Sequence, residues 1–117
     1  MGITEQCGEV HARMREKGFW DHEYTDVSGM GSYPEISIYN QSIFPEKMML
    51  IVTEVAEMMK AFRDSPAQPS DGEADEAADV LIRLMDYCGA RGIDLGAAYV
   101  AKMSENAERP RLHSRQR

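Results

Sequence analysis

The sequence predicts an all-α fold: an antiparallel helical bundle completed by homo-oligomerisation. Four segments have the apolar periodicity of amphipathic helices, and each is bounded by Gly, Pro or capping residues. The connections between the last three are short, which implies antiparallel neighbours. With 117 residues the chain has the usual size of one domain, which we expect to span residues 1–117.

The first predicted helix runs from about Thr4, as N-cap, to Lys17, with Gly18 as the C-terminal stop. The segment 18–41 follows. It mixes Gly, Pro, Asp and Ser with aromatic residues, a composition typical of irregular structure. Because a connection of this length in a small domain often carries function, we expect the segment to contribute to a binding site.

The second helix is expected to start near Ser42 and to continue to about Arg63. It tolerates Pro45, because a proline in the first turn removes no helical hydrogen bond. Pro66 and Pro69 are then expected to end the helix. The two prolines therefore separate this helix from the next.

Ser70, followed three residues later by a Glu, has the spacing of a capping box and predicts the start of a third helix. That helix should stop at Gly89 or Gly92. Asp94 is suited to cap a fourth helix, which Pro110 ends. The remaining residues, about 109–117, form a basic tail with four Arg.

The formal net charge of −7, despite that tail, predicts an acidic body. A duplex-DNA-binding protein normally presents a basic face, so nucleic acid is not expected as a partner. No apolar run approaches the roughly 20 residues that span a bilayer, and the polar N-terminus does not resemble a signal peptide. Two isolated cysteines suggest neither a zinc site nor a disulfide framework. We expect a cytoplasmic location and no membrane partner.

The second and third helices are apolar over a wide arc, and a three- or four-helix monomer seldom buries that much of each helix. This predicts a homo-oligomer, a dimer or a tetramer. The residues concerned are Met48, Met49, Leu50, Ile51, Val52, Val55, Met58, Met59 and Phe62 on the second helix, and Val80, Leu81, Ile82, Leu84, Met85 and Tyr87 on the third.

Two pairs of carboxylates stand within these apolar stretches. Glu54 and Glu57 form one pair and Glu76 and Asp79 the other. Residues three apart share a helix face, so two packed helices would bring all four acids together, as a Mg²⁺ site requires. The alternative is that both pairs belong to solvated polar faces of amphipathic helices. Spacing alone leaves both interpretations open.

The ordered set E54xxE57, eighteen residues, E76xxD79 and then K102xxxN106xxR109P110 resembles the MazG-like all-α nucleoside triphosphate pyrophosphohydrolases. The resemblance covers about residues 43–113, with a weaker echo in KGFW at 17–20. It implies a helical bundle assembled from dimers. It also implies Mg²⁺-dependent hydrolysis of a nucleoside triphosphate, expected to be a dNTP, to the monophosphate and pyrophosphate in nucleotide-pool maintenance. Mn²⁺ is an alternative to Mg²⁺.

The resemblance also assigns residue roles. Metal ions would take up the charge that develops on the attacked phosphate, and either Glu54 or Glu57 is the candidate general base. Arg83 is expected to contact phosphate or to orient Asp79, and Trp20 to stack on a base or else to fill the end of the bundle. The implied metal ligands are Glu54, Glu57, Glu76 and Asp79; the implied substrate-binding residues are Lys102, Asn106, Arg109, Arg83 and Trp20, with His113 of the RPxxH pattern worth testing.

Two other functions remain open on sequence grounds. One is a non-catalytic helical oligomerisation module whose acidic stripes face water. The other is a module that binds a nucleotide without turning it over. Base and sugar preference would depend on the path of residues 18–41.

Overall fold

Four α-helices make up the part of the chain that the structure, a computed structural model, describes: residues 1–20 and 33–110, with side chains for 1–20 and 43–110. They are α1 (Ile3–Glu16), α2 (Tyr33–Asp64), α3 (Asp71–Arg91) and α4 (Leu95–Glu108). The prediction of an all-α fold is confirmed. None of these four helices combines the length and the apolar character needed to cross a membrane.

Helices α2 and α3 pack antiparallel along much of their length. Phe44, early in α2, meets Tyr87 late in α3, with ring centroids 5.7 Å apart. Ten residues further along α2, Glu54 contacts Arg83, one turn nearer the start of α3. Helix α1 lies against the C-terminal half of α3, and α4 packs on α1. Helix α3 is therefore the central element of the described fold.

Helix α1 ends as the sequence predicts, in a Schellman motif built on Gly18. That residue has a φ of 91°, a left-handed conformation that glycine adopts without strain. The Gly18 N–H donates to the Arg15 carbonyl and the Phe19 N–H to the Met14 carbonyl, both at 3.1 Å. These bonds satisfy carbonyls that the helix end would otherwise leave unpaired.

The predicted boundaries of the later helices are confirmed as well. Gly92, with a φ of 69°, ends α3, so the stop falls there and not at Gly89. The Ser70 side chain accepts from the Glu73 N–H at 3.1 Å, and the Asp94 side chain accepts from the Ala97 N–H at 3.1 Å. Each cap satisfies one orphan donor of a first turn.

The start of α2 corrects the prediction. The helix begins at Tyr33 instead of Ser42, so residues 33–41 of the segment expected to be irregular are helical. Pro45 consequently lies in the helix interior, and its missing N–H leaves the residue 41 carbonyl without the usual donor. Pro34 occupies the first-turn position that Pro45 was expected to have. Residues 21–32 lie outside the described ranges.

The N-cap of α1 is a second correction. Gly2, and not Thr4, occupies that position, and the Glu5 carboxylate accepts from the Gly2 N–H at 3.0 Å. The Thr4 hydroxyl instead donates to the Asp94 carboxylate at 2.6 Å and accepts from the Gly96 N–H at 2.8 Å. Thr4 therefore fastens α1 to the start of α4.

The buried core of the described residues is small. Where α1 crosses α3, a β-carbon on Gly89 would collide with the Cys7 carbonyl oxygen, so the two backbones are in direct contact. Burial raises the pKa of both the Cys7 and the Cys88 thiols, which therefore pack as small neutral apolar groups. Among the described residues, the buried apolar side chains are Cys7, Trp20, Ile43, Met85 and Cys88.

Large apolar side chains remain exposed along the outer faces of α2, α3 and α4. Met49 of α2 is 60% exposed and Val100 of α4 is 62% exposed. Leu81 of α3 is half exposed. The packing of the described helices thus leaves much of their apolar surface uncovered.

Candidate metal centre

Three of the four predicted metal ligands meet between α2 and α3. One oxygen from each of Glu54, Glu76 and Asp79 can be chosen so that all three atoms lie within 4.8 Å of one another. Glu76 and Asp79 are one turn apart on α3, and the antiparallel packing sets Glu54 of α2 opposite them. The spacing of the two motifs and the pairing of the two helices together produce this cluster.

The pKa of the Glu76 carboxyl reflects the closeness of the other acids in the cluster. Partial burial raises its pKa above the ordinary value of 4.5, and a hydrogen bond with Asp79 and the charges of Glu54, Asp79 and Glu57 raise the pKa further. Negative charge is therefore concentrated at one point. A divalent cation would relieve that repulsion, and carboxylate oxygens are the donors that Mg²⁺ and Mn²⁺ accept.

Glu57, the fourth predicted ligand, does not join this set of three. Its side chain is exposed one turn beyond Glu54, although its charge still acts on Glu76. The candidate centre therefore has three close carboxylates and a fourth at its margin.

Arg83 bonds to a different acid from the one expected. Its Nε donates to Oε2 of Glu54 at 2.7 Å, across the α2–α3 interface. Both side chains are largely buried, with 28% and 16% of their surface exposed. The guanidinium thus neutralises one member of the carboxylate cluster directly, and the contact with Asp79 that the sequence suggested is replaced by one with Glu54.

Trp20, expected either to stack on a base or to fill the end of the bundle, lies in the core. Its side chain is 1% exposed, and its indole N–H donates to both oxygens of the Asp86 carboxylate, at 3.0 and 3.1 Å. Nδ1 of His11 lies 2.8 Å from the same carboxylate. Lys47 sits over the indole ring, 4.2 Å from its centroid. With its ring covered in this way, Trp20 has no exposed face on which a base would stack.

Asp86 and His11 are the structural residues that sequence reasoning missed. Asp86 falls on the same polar arc of α3 as Glu76 and Asp79, yet it is 6% exposed because α1 and Trp20 cover that end of the helix. A signal was present in the sequence, since Asp86 is flanked by Met85 and Tyr87. A polar residue bordered by apolar ones on both sides indicates burial with a partner.

Of the predicted phosphate-binding residues, Lys102 and Asn106 lie on α4 and Arg109 is its C-cap. The contacts that these three residues make stay within this segment. Nζ of Lys102 is 3.9 Å from the Glu105 carboxylate, and Nη2 of Arg109 donates to the same carboxylate at 2.5 Å. The Asn106 side chain is exposed. Helix α4 packs mainly against α1, so the described contacts do not join these residues to the carboxylate cluster. His113 lies outside the described residues.

The comparisons with known proteins leave the family assignment as a prediction. The chain matches no family model, and no curated protein and no solved structure is significantly similar to it.

Proposed function

We propose that this protein is a Mg²⁺-dependent nucleoside triphosphate pyrophosphohydrolase of MazG-like type, which releases pyrophosphate and a nucleoside monophosphate. The observation that carries the proposal is the convergence of Glu54, Glu76 and Asp79 within 4.8 Å between two antiparallel helices. These residues occupy the positions at which the ExxE and ExxD motifs supply metal ligands. Mn²⁺ would serve in place of Mg²⁺.

The residues divide into roles under this proposal. Glu54, Glu76 and Asp79 would hold the cation, which when bound supplies positive charge to the phosphate oxygens as the bond to the α-phosphorus breaks. Glu54 is already engaged by Arg83. Exposed Glu57 is therefore the better candidate for the base that removes a proton from the attacking water. Lys102, Asn106 and Arg109 enter the proposal as phosphate contacts on the strength of the motif alone.

The proposal includes a homo-oligomer. The support is the exposed apolar surface of α2, α3 and α4, including Met49, Val52 and Tyr99, each more than half exposed. Exposed apolar side chains in this number on a protein in water generally mark an interaction site. Light scattering coupled to size-exclusion chromatography should give at least twice the 13.2 kDa chain mass. Substitution of Val52 by Asp should lower that mass, whereas a stable 13.2 kDa species of the unmodified chain would contradict the proposal.

The activity is tested with a panel of nucleoside and deoxynucleoside triphosphates in the presence of Mg²⁺. Pyrophosphate and monophosphate should appear in equal amounts, and addition of EDTA should stop the reaction. Glu57→Gln and Asp79→Asn should each abolish turnover without loss of the helical circular dichroism signal. The matched control is Asp75→Asn. Asp75 is an exposed acid on the same helix, α3, and is not a member of the carboxylate cluster. Release of orthophosphate alone, or no turnover of any nucleotide, would overturn the proposal.

A non-catalytic oligomerisation or nucleotide-binding module is the second candidate. The observation that favours it is the Arg83–Glu54 ion pair, because this acid is neutralised by a side chain and does not require a metal. An oligomerisation module predicts no rise in melting temperature with Mg²⁺, whereas any ligand that binds only the folded state must raise it. A nucleotide-binding module predicts a nucleotide-dependent rise without turnover.

A further inference from the structure

The Arg83–Glu54 contact lies at the edge of the carboxylate cluster. Glu54 supplies one of the three clustered oxygens, and Oε2 of the same residue accepts from Arg83 Nε at 2.7 Å. An arginine does not lose its proton in proteins, so its charge is permanent. A guanidinium has no lone pair to offer a metal. Arg83 and a cation would therefore both draw on the negative charge of the Glu54 carboxylate.

The remaining donors of Arg83 are available for a second partner. Among the described residues the guanidinium has one polar contact, the bond from Nε to Glu54. Its two Nη groups, the part of the fork that binds phosphate bidentately, are not used in that bond. The Arg83 side chain is 28% exposed, so it is not sealed from a ligand that approaches the cluster.

We propose that Arg83 is a resident counter-ion of Glu54 that a divalent cation must displace, and that the displaced guanidinium is taken up by the phosphate of the substrate. This inference rests on the proposed function, since it assumes a cation site at the cluster. It makes Arg83 a positioning and selectivity residue: the free protein holds its carboxylates partly neutralised and binds the cation weakly. The cation and a polyphosphate then bind together better than either does alone.

Calorimetric titration of the oligomeric, metal-free protein with Mg²⁺ alone provides the first test. Arg83→Gln should bind Mg²⁺ roughly tenfold more tightly than the unmodified protein, because a full positive charge beside the cation is removed. Arg83→Lys keeps the charge and should stay close to the unmodified protein. Arg13→Gln, an equal change of charge at an exposed position of α1 that pairs with Glu9, is the control and should leave Mg²⁺ affinity unchanged.

In a titration of the Mg²⁺-loaded protein with inorganic tripolyphosphate, we expect Arg83→Gln to have the opposite effect on affinity. Here Arg83→Gln should bind the probe at least tenfold more weakly, since a charge-assisted pair of hydrogen bonds is lost. Equal or weaker Mg²⁺ binding by Arg83→Gln, or unchanged tripolyphosphate binding, would overturn the role of Arg83 and leave the metal site standing. Absence of Mg²⁺ binding in the unmodified protein and in every variant would overturn the proposed function itself.

The displacement of Arg83 from Glu54 can also be tested by NMR on the unmodified protein, in which the charge of Arg83 is retained. The ¹⁵N resonance of Arg83 Nε, assigned by its disappearance in Arg83→Lys, should shift when Mg²⁺ saturates the unmodified protein, because its hydrogen bond to Glu54 is broken. A resonance that stays in place at saturating Mg²⁺ would show that the ion pair persists, and would refute the displacement.

Discussion

The indole N–H of Trp20 donates to both carboxylate oxygens of Asp86, and this bond joins the end of α1 to the buried face of α3. His11 contacts the same carboxylate from the middle of α1. A buried acid is stable only when its oxygens are paired. Asp86 therefore has two partners, His11 on α1 and Trp20 in the turn that follows α1. Helix α1 is thus held to α3 by polar bonds as well as by the packing around Cys7.

We expect Asp86→Ala to lower the free energy of unfolding by at least about 2 kcal/mol, because the buried indole N–H and the imidazole both lose a partner. Asp86→Asn keeps one acceptor oxygen and should cost less. Urea denaturation followed by circular dichroism measures both values. The control is Asp75→Asn on the exposed side of α3, which should stay within about 0.5 kcal/mol of the unmodified protein. Equal stability of Asp86→Ala and the unmodified protein would refute the structural role of this acid.

The raised pKa of Glu76 predicts a pH dependence of stability in the absence of metal. An acid whose folded pKa lies above its unfolded value of 4.5 binds its proton more tightly in the folded state, so stability is lost as the pH rises from about that value through the folded pKa. Glu76→Gln should therefore be more stable than the unmodified protein at pH 7 in EDTA and no more stable at pH 4. A difference that does not change between these two pH values would contradict the clustering of charge at Glu76.

Thr4 fastens α1 to α4, and Thr4→Val tests the strength of that contact. Valine has nearly the same shape but neither donates to Asp94 nor accepts from Gly96, so we expect a loss of about 1–2 kcal/mol in the free energy of unfolding. Thr4→Ser keeps the hydroxyl and should lose less. Thr53→Val removes a hydroxyl whose bond stays within α2 and serves as the control.

The Thr4 effect should also depend on pH, because the Thr4 hydroxyl, followed by the Ala97 N–H, lowers the pKa of Asp94 below 3.8. A depressed carboxyl pKa contributes stability above the unfolded value, and that contribution is lost as the pH falls through the folded pKa. The difference between Thr4→Val and the unmodified protein should shrink when the unfolding is repeated near pH 3. A constant difference would show that Thr4 acts by packing and not through Asp94.

Gly89 and Gly8 form a matched pair for testing the contact between α1 and α3. A β-carbon at residue 89 would meet the Cys7 carbonyl and the His11 β-carbon, whereas one at residue 8 meets nothing within 4 Å. We expect Gly89→Ala to cost about 1–3 kcal/mol through overpacking. Gly8→Ala should gain about 0.5–1 kcal/mol, since alanine favours an exposed helical position. Two changes of the same sign, measured by thermal unfolding, would contradict the described packing.

The helix ends were predictable because they depend on residues three or four positions apart. Gly18, Gly92, Ser70 and Asp94 each act on their own turn, and their roles follow from local chemistry. The start of α2 was missed although the sequence SYPE at 32–35 combines the S-x-x-E order of a capping box with a first-turn proline. Ser42, with Pro45 in the first turn of the predicted helix, provides a competing start signal later in the chain.

The candidate site was predictable only in part. Spacing placed Glu76 and Asp79 on one face, and the packing of α2 on α3 added Glu54. The partner of Arg83 depends on the register between two helices, which no pattern along one helix contains. The burial of Asp86 similarly depends on α1 covering one end of an arc whose other end stays open. Sequence periodicity predicts the helix face on which a residue lies, whereas its burial and its bonding partners depend on contacts with other helices.

The direct contact of backbones at Gly89 has a consequence for tracing descent. A chain that shares this crossing of α1 and α3 should favour glycine at the position of Gly89, because every other residue has a β-carbon that would collide with the Cys7 carbonyl unless the helices shift. The position of Gly8 carries no such restriction. A divergent sequence that keeps a glycine at the position of residue 89 and varies at the position of residue 8 would therefore be compatible with the same close crossing of α1 and α3.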